Sequence, residues 1–207
     1  MTAIKIHGMQ PSTFTRTVRM ACHEKGIDYE LIQTPPGDGV RALNPFGKIP
    51  AITHGDFVLY ESAAILRYLD RSFAGPKLWP DEARAAALVD QWVAAISDSL
   101  LHSAQFYMAT RFKLLTFPPG MAQKFFDRTR EILPAFERQL GATRFLAGEG
   151  VSAADLSFAP IFAYFPDVPE LKALADTMPN CQRWAGEIAQ RSSFKMTEPA
   201  FKPQLAA

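Results

Sequence analysis

Ile4 and Ile6 alternate with Lys5 and His7, the period of a half-buried strand. Gly8-Met9-Gln10-Pro11 turns the chain, Ser12 follows, and Phe14, Val18, Ala21 and Cys22 then recur at helical spacing with Arg16, Arg19 and Glu24 facing outward. Gly26 is suited to stop that helix. Asp28-Tyr29-Glu30-Leu31-Ile32 reads as a second strand. Two further apolar runs, Ala51-Ile52-Thr53 and Phe57-Val58-Leu59-Tyr60, flank His54-Gly55-Asp56 and predict a β-hairpin. Pro50 fits only the start of its first strand, because it has no N–H for a ladder. Glu61-Ser62 then leads into Ile65, Leu66, Leu69 and Phe73, an apolar helical face. The order is βα, β, an unassigned segment, then ββα. The two early strands can pair in parallel only through a right-handed crossover, which predicts a small mixed sheet with flanking helices.

Ala74-Gly75-Pro76-Lys77-Leu78-Trp79-Pro80 reads as a linker, with two prolines and a glycine in seven residues. Beyond it every periodic segment is helical. Leu88, Trp92, Ala95, Ile96 and Ser99 trace one long helix running to about Phe112, and Phe117-Pro118-Pro119-Gly120 closes that segment. Phe125, Thr129, Ile132, Leu133, Phe136 and Leu140 trace the next, with a kink expected at Pro134. Ser152-Ala153-Ala154-Asp155 carries the spacing of a capping box and opens a nearly all-apolar, buried helix to Phe165. Trp184 and Ile188 lie on a last helix, and the tail after Ser193 is expected on the surface.

Composition narrows the function. The chain has 207 residues, 48% of them hydrophobic, enough for a sizeable core in one large or two small domains. Its 22 basic and 21 acidic residues leave a net charge of +1, so no strong field draws it to nucleic acid or anionic lipid. No apolar run approaches the length of a membrane span, and the N-terminus lacks a signal-peptide pattern. Cys22 and Cys181 have no metal-binding or Cys-x-x-Cys spacing, and His7, His23, His54 and His102 are scattered. A cytoplasmic location and no bound metal are expected.

The hairpin delivers the chain directly to a helix N-terminus at Glu61-Ser62, where free N–H groups and the positive dipole end suit a carboxylate. The stretch Asn44-Pro45-Phe46-Gly47-Lys48-Ile49-Pro50, the hairpin and Glu61-Ser62 resemble the glutathione-binding half of the cytosolic glutathione transferases. The segment from Gly8 through Ser12 to Thr15-Arg16 and Val18 resembles the plant phi class and its bacterial relatives. Ser152 to Pro160, and Pro179-Asn180 with Trp184, are similar to the buried helix and the final helix of that family. The resemblance spans roughly Ile4 to Phe194.

It implies an α/β thioredoxin-like N-terminal domain over residues 1–76, a mixed sheet with flanking helices, which binds glutathione. An all-α helical domain over residues 86–207 would bind the second substrate. It further implies a cis Ile49–Pro50 bond, pairing of the Ile49 backbone with the cysteinyl unit of glutathione, and capture of the γ-glutamyl carboxylate by Glu61 and Ser62. Lys48, with Arg41, would meet the glycyl carboxylate, although Lys48 also reads as an ordinary solvated lysine. Glutathione is the expected co-substrate, a hydrophobic electrophile the second substrate, and a homodimer the expected assembly.

Ser12 matters most. By position alone it is a helix N-cap. By resemblance its hydroxyl donates to the glutathione sulfur. A free thiol ionises near ~8.5, so a donor at a helix N-terminus would enlarge the nucleophilic thiolate fraction. A redox protein of this architecture would carry Cys where this chain has Ser12 and Thr15, which points to conjugation. Thr13 is the alternative hydroxyl. Phe14, Phe106, Tyr107 and Phe112 are candidates for an apolar substrate pocket, though aromatic residues on helices are more often core. Cys22 reads as core.

The segment from Gln33 to Leu43 departs from the family pattern. Pro35-Pro36-Gly37 and Gly39 leave at most one helical turn where a helix normally walls the glycyl end. The reading is therefore a glutathione transferase. The alternatives are a non-catalytic binding or assembly module of the same fold, or a glutathione-dependent isomerase or thiol lyase.

Overall fold

A computed structural model describes residues 3–110 and 116–200, without the side chains of 107–110. The described residues form two compact units, one of residues 3–80 together with 190–200, the other from Asp81 to Ala189.

In the first unit, β1 (Ile4–Gly8) is followed by α1 (Thr13–Lys25), β2 (Tyr29–Gln33), β3 (Ala51–His54), β4 (Phe57–Tyr60) and α2 (Ser62–Ser72). The sheet order is β2-β1-β3-β4, with β1 parallel to β2 and antiparallel to β3. This is the mixed, thioredoxin-like sheet that the sequence predicts. The alternation of β1 buries Ile4 and Ile6, and the helical period of α1 and α2 buries Val18, Ala21 and Cys22 with Ile65, Leu66 and Leu69. Gly26 ends α1 in the left-handed conformation, φ 66°, as its position in the sequence requires. Residues 34–50 form turns rather than a helix, held by Gly37 N–H donating to the Gly47 carbonyl (2.8 Å) and Asn44 N–H to that of Val40 (2.9 Å).

The polar face of α1 is not the solvated surface that its periodicity suggests. Arg16 and Arg19 are only 3% and 7% exposed, because residues 191–200 lie along that face. Arg191 donates to both carboxylate oxygens of Glu24 at 2.7 and 2.6 Å. Arg16 donates to the Phe194 carbonyl at 3.0 Å, with its guanidinium 4.1 Å above the Phe194 ring. Arg19 donates to the Thr197 carbonyl at 3.1 Å, and Ala200 N–H reaches Gln10 Oε1 at 3.2 Å. The tail expected on the surface instead forms α9 (Ser192–Met196) and buries Ser193 and Thr197. Its carbonyls and Arg191 complement the charges of α1, a match no hydrophobic pattern encodes.

The linker is pinned to the same unit. Lys25 Nζ donates to Asp70 Oδ1 at 3.2 Å and to the Pro76 carbonyl at 3.1 Å, with the two side chains 1% and 8% exposed. Asp70 also accepts Leu78 N–H at 2.7 Å. A buried ion pair persists only where further hydrogen bonds satisfy it, and the linker backbone supplies them.

In the second unit, α3 (Ala83–Ser99) and α4 (Leu101–Thr110) replace the single helix expected to about Phe112, which itself lies outside the described residues. Leu100 stays buried at the break, so the apolar period runs through it and hides it. Val89, Val93 and Ile96 form the buried stripe of α3, and Leu88 is 46% exposed. α5 (Met121–Ala142) contains Pro134, and α6 (Ala153–Phe162) is buried throughout. The short α7 (Pro169–Ala175) and then α8 (Pro179–Ala189) follow, so the helix of Trp184 is not the last. Phe158 stacks between Phe136 and Trp184, with ring centroids 4.6 and 4.7 Å away. Asp155 accepts hydrogen bonds from Ser152 N (2.9 Å), Ser152 Oγ (2.9 Å), Leu146 N (3.0 Å) and Trp184 Nε1 (2.9 Å). It is thus the hub of this core, beyond the capping role its spacing predicts.

Candidate active site

The sheet register gathers the candidate residues. His7 pairs with Ala51, and Ala51 with Tyr60, so β1 ends, β3 begins and β4 ends in one row. The loop carrying Ser12, the Ile49–Pro50 dipeptide and the Glu61-Ser62 pair all leave the sheet from that row. Gln33 pairs with Gly8, so the segment after β2 leaves there as well. Both α1 and α2 therefore start at this end, and two helix N-termini direct positive potential to it.

Ser12 caps α1, its Oγ accepting from Thr15 N–H at 3.3 Å. Among the described residues its O–H donates to nothing, so the cap leaves the donor available. Thr13, the alternative hydroxyl, is only 5% exposed, whereas Ser12 is half-buried. Thr15 lies against Gly8. A Cβ on Gly8 would stand 2.3 Å from Thr15 Oγ1, so only glycine lets α1 approach β1 this closely. Thr15 Oγ1 is buried without a hydrogen-bond partner among the described residues.

The Ile49–Pro50 bond is cis, as the resemblance implies. Among the described residues the N–H and C=O of Ile49 form no hydrogen bond. Asn44, 1% exposed, holds the approach to it: its Nδ2 donates to the Lys48 carbonyl at 2.8 Å and its Oδ1 accepts Phe46 N–H at 3.0 Å. Asn44 has no site role in the sequence reading. Its signal there was an Asn-Pro turn, which announces a bend but not what the amide would hold.

Glu61 is the N-cap of α2 with φ 67° and ψ 114°, the sole non-glycine positive φ among the described residues. Such a conformation costs on the order of 1–3 kcal/mol and is kept where surrounding structure imposes it. Its side chain makes no capping hydrogen bond, so the first N–H groups of α2 are open, and the half-buried Ser62 hydroxyl has no partner among the described residues.

The two cations differ. Arg41 donates from Nε to Asp38 at 3.0 Å and from Nη1 to the Pro45 carbonyl at 3.1 Å, which commits it to its own loop. The Lys48 ammonium is exposed and forms no ion pair among the described residues. Phe14 is half-buried on the first turn of α1. Phe106, in the second unit, is buried with its ring centroid 5.4 Å from that of Phe126. The Tyr107 side chain and Phe112 lie outside the described residues. Burial pushes the Cys22 thiol up to about 12, so it is no nucleophile.

This end of the sheet can hold an extended peptide. Its backbone would pair with Ile49, a carboxylate would sit at the open start of α2, and a thiolate would receive the Ser12 hydroxyl at the start of α1.

Comparison with known proteins follows the same division. The glutathione S-transferase N-terminal domain family matches residues 6–77, and the C-terminal domain family matches residues 81–187. Glutathione S-transferase 3 of Zea mays is 31% identical, over 97% of this chain and 95% of that protein. Glutathione S-transferase F14 of Arabidopsis thaliana is 32% identical, over 84% of this chain and 75% of that protein. The crystal structure of poplar glutathione transferase F1 superposes with a TM-score of 0.83 at 29% identity, covering 95% of this chain and 97% of that one.

Proposed function

Given that the chain belongs to the glutathione S-transferase family and is a glutathione transferase, we propose that the sheet end bearing Ser12, Ile49 and Ser62 is where it binds glutathione and activates the thiol. The observation that carries this is the row His7–Ala51–Tyr60. It brings to one end an unused hydroxyl donor, an unpaired backbone edge and an uncapped helix N-terminus.

The roles follow from the chemistry. Ile49 N–H and C=O pair with the cysteinyl unit. The open N–H groups of α2, with Ser62, receive the γ-glutamyl carboxylate; Glu61, whose own carboxylate would repel it, takes the α-amino group of the same γ-glutamyl unit instead of the carboxylate that the resemblance implies for it. Lys48 meets the glycyl carboxylate, and Arg41 acts by holding the loop. Ser12 O–H donates to the sulfur, which favours thiolate over thiol together with the α1 dipole. The thiolate electron pair then forms a C–S bond to an electrophilic carbon. Either the leaving group departs with its bonding pair, or the neighbouring carbon takes up a proton. The electrophile is an apolar small molecule, and Phe14 offers it an aromatic surface.

The unit that runs up to Pro80 and includes the tail from Gln190 serves as the glutathione-binding domain, and the unit from Asp81 to Ala189 as the domain for the second substrate. The protein works as a cytoplasmic homodimer in detoxification. Among the described residues, no helix is long and apolar enough to cross a membrane. Calorimetric titration with glutathione tests the core of this reading: one site per chain, lost when S-hexylglutathione is already bound. Absence of glutathione binding would remove it.

A further inference from the structure

Ser12 stands at the end of a turn that its own residues do not favour. Ser12 N–H donates to the Met9 carbonyl at 3.1 Å, which closes a four-residue turn with Gln10 and Pro11 at its centre. Proline is disfavoured at the third position of the common turn, because it pushes the residue before it out of the helical region. Both ends of the loop are anchored. The Gly8 carbonyl accepts Thr34 N–H at 3.1 Å, and Ser12 Oγ accepts Thr15 N–H at 3.3 Å. Between these anchors, Gln10 Oε1 accepts Ala200 N–H at 3.2 Å, so the tail holds the middle of the turn.

The tail presents that donor from a fixed base. Thr197, three residues earlier, is fully buried. Arg16 Nε donates to its Oγ1 at 3.4 Å, Arg19 Nη1 donates to its carbonyl at 3.1 Å, and its own hydroxyl donates to the Ser193 carbonyl at 2.7 Å. Pro199 is buried as well, and its ring fixes φ, so few backbone torsions are free between Thr197 and the Ala200 N–H. From Glu24 through Arg19 and Arg16 to Gln10, the tail is bonded along the length of α1 and ends on the loop before it.

We propose that the tail sets the direction of the Ser12 hydroxyl, with Gln10 as the positioning residue through which it acts. The inference rests on the reading that Ser12 donates to the glutathione sulfur. A hydrogen bond weakens as its donor leaves the line to the acceptor, so a small rotation of the turn reduces stabilisation of the thiolate. The groups assigned to the rest of the peptide, Ile49, Ser62 and Lys48, stand on other segments. Loss of the Gln10–Ala200 bond therefore changes thiol activation and leaves peptide binding in place.

The bond can be removed from either side in the full chain. Gln10→Met keeps the length of the side chain and loses the acceptor. Ala200→Pro loses the donor and leaves the loop sequence intact, because proline has no N–H. Ala200→Ser keeps the donor and is the control. The measurement is the pKa of the bound glutathione thiol, from thiolate absorbance across pH, alongside the affinity for S-hexylglutathione, which has no thiol to ionise. Gln10→Met and Ala200→Pro should each raise the bound thiol pKa by about half a unit, part of what one neutral hydrogen bond supplies. The double variant should raise it no further than either alone, since both changes break the same bond. Affinity for S-hexylglutathione should be unchanged throughout, and Ala200→Ser should match the unmutated chain. An unchanged thiol pKa in either single variant, additive shifts in the double variant, or a parallel loss of S-hexylglutathione affinity would overturn the proposal. A raised pKa in Ser12→Ala with none in these variants strikes this inference alone. An unchanged pKa in Ser12→Ala removes the role of Ser12, and the proposal with it.

Discussion

The Asn44 side-chain amide donates to the Lys48 carbonyl at 2.8 Å, and through that bond a buried turn residue sets the path of the chain into Ile49 and Pro50. Asn44→Ala removes this bond and the one from Phe46 N–H. The expected cost is about 1–3 kcal/mol of stability, from polar groups left unsatisfied, read by denaturant unfolding. Glutathione affinity should fall as well, because the Ile49 edge is no longer held. A variant that is destabilised but binds glutathione normally would show that the turn and the peptide edge are independent.

Ser12 carries two roles that separate by substitution. Ser12→Ala loses the cap on Thr15 N–H, at about 1 kcal/mol, and the donor to the sulfur. Ser12→Asp keeps a good cap but sets a carboxylate beside the thiolate, so stability should be retained while the bound thiol pKa rises further than in Ser12→Ala. Thiolate absorbance across pH, alongside thermal melting, measures both. An unchanged thiol pKa in both variants would transfer the role to Thr13 or to the backbone.

Lys48 and Arg41 should respond differently to loss of glycine from the ligand. Lys48→Ala is expected to weaken glutathione roughly 5- to 100-fold, the range for charge-assisted hydrogen bonds to a partly desolvated carboxylate. γ-Glutamylcysteine should show little of this loss. Arg41 is bonded to Asp38 and Pro45, so Arg41→Ala acts through the loop and should weaken both peptides alike. Paired titrations decide the matter, and a loss in Lys48→Ala that is equal for both peptides would remove Lys48 from the glycyl end.

Glu24 makes the docking of the tail sensitive to acid. Burial raises its pKa, but hydrogen bonds from Arg191 and Ser193 outweigh that, leaving it below the ordinary carboxylate value. A carboxylate with a depressed folded-state pKa stabilises the protein above its unfolded-state pKa, and that contribution fades as pH falls through the folded value. Unfolding free energy measured from neutral to acid pH should therefore drop less steeply in Glu24→Gln, which is less stable at neutral pH. Identical pH profiles for the two proteins would show that the Arg191 pair adds nothing to stability.

Elements whose signal is local were legible from the amino-acid order alone. The alternation of Ile4 and Ile6, the hairpin turn at Gly55, the stop at Gly26 and the Ser152–Asp155 spacing each report a backbone choice made within a few residues. The site was legible to the same extent, because Ser12, Ile49-Pro50 and Glu61-Ser62 each mark a junction between a strand and a neighbouring segment. What those junctions face follows from how distant segments pair. The row His7–Ala51–Tyr60 depends on His7 pairing with Ala51, 44 residues along the chain, and it brings the three junctions to one end. The helical period marks the outward face of α1 as solvated, since it separates polar from apolar positions but carries no record of what packs on the polar side. Arg16, Arg19 and Glu24 met a tail some 170 residues away, joined by charge and carbonyl pairing rather than by hydrophobicity. The break at Leu100 stayed hidden because a buried leucine there continues the apolar stripe. The commitment of Arg41 to Asp38 and Pro45 was likewise invisible, because a turn's hydrogen bonds depend on its three-dimensional path and composition alone does not give that path.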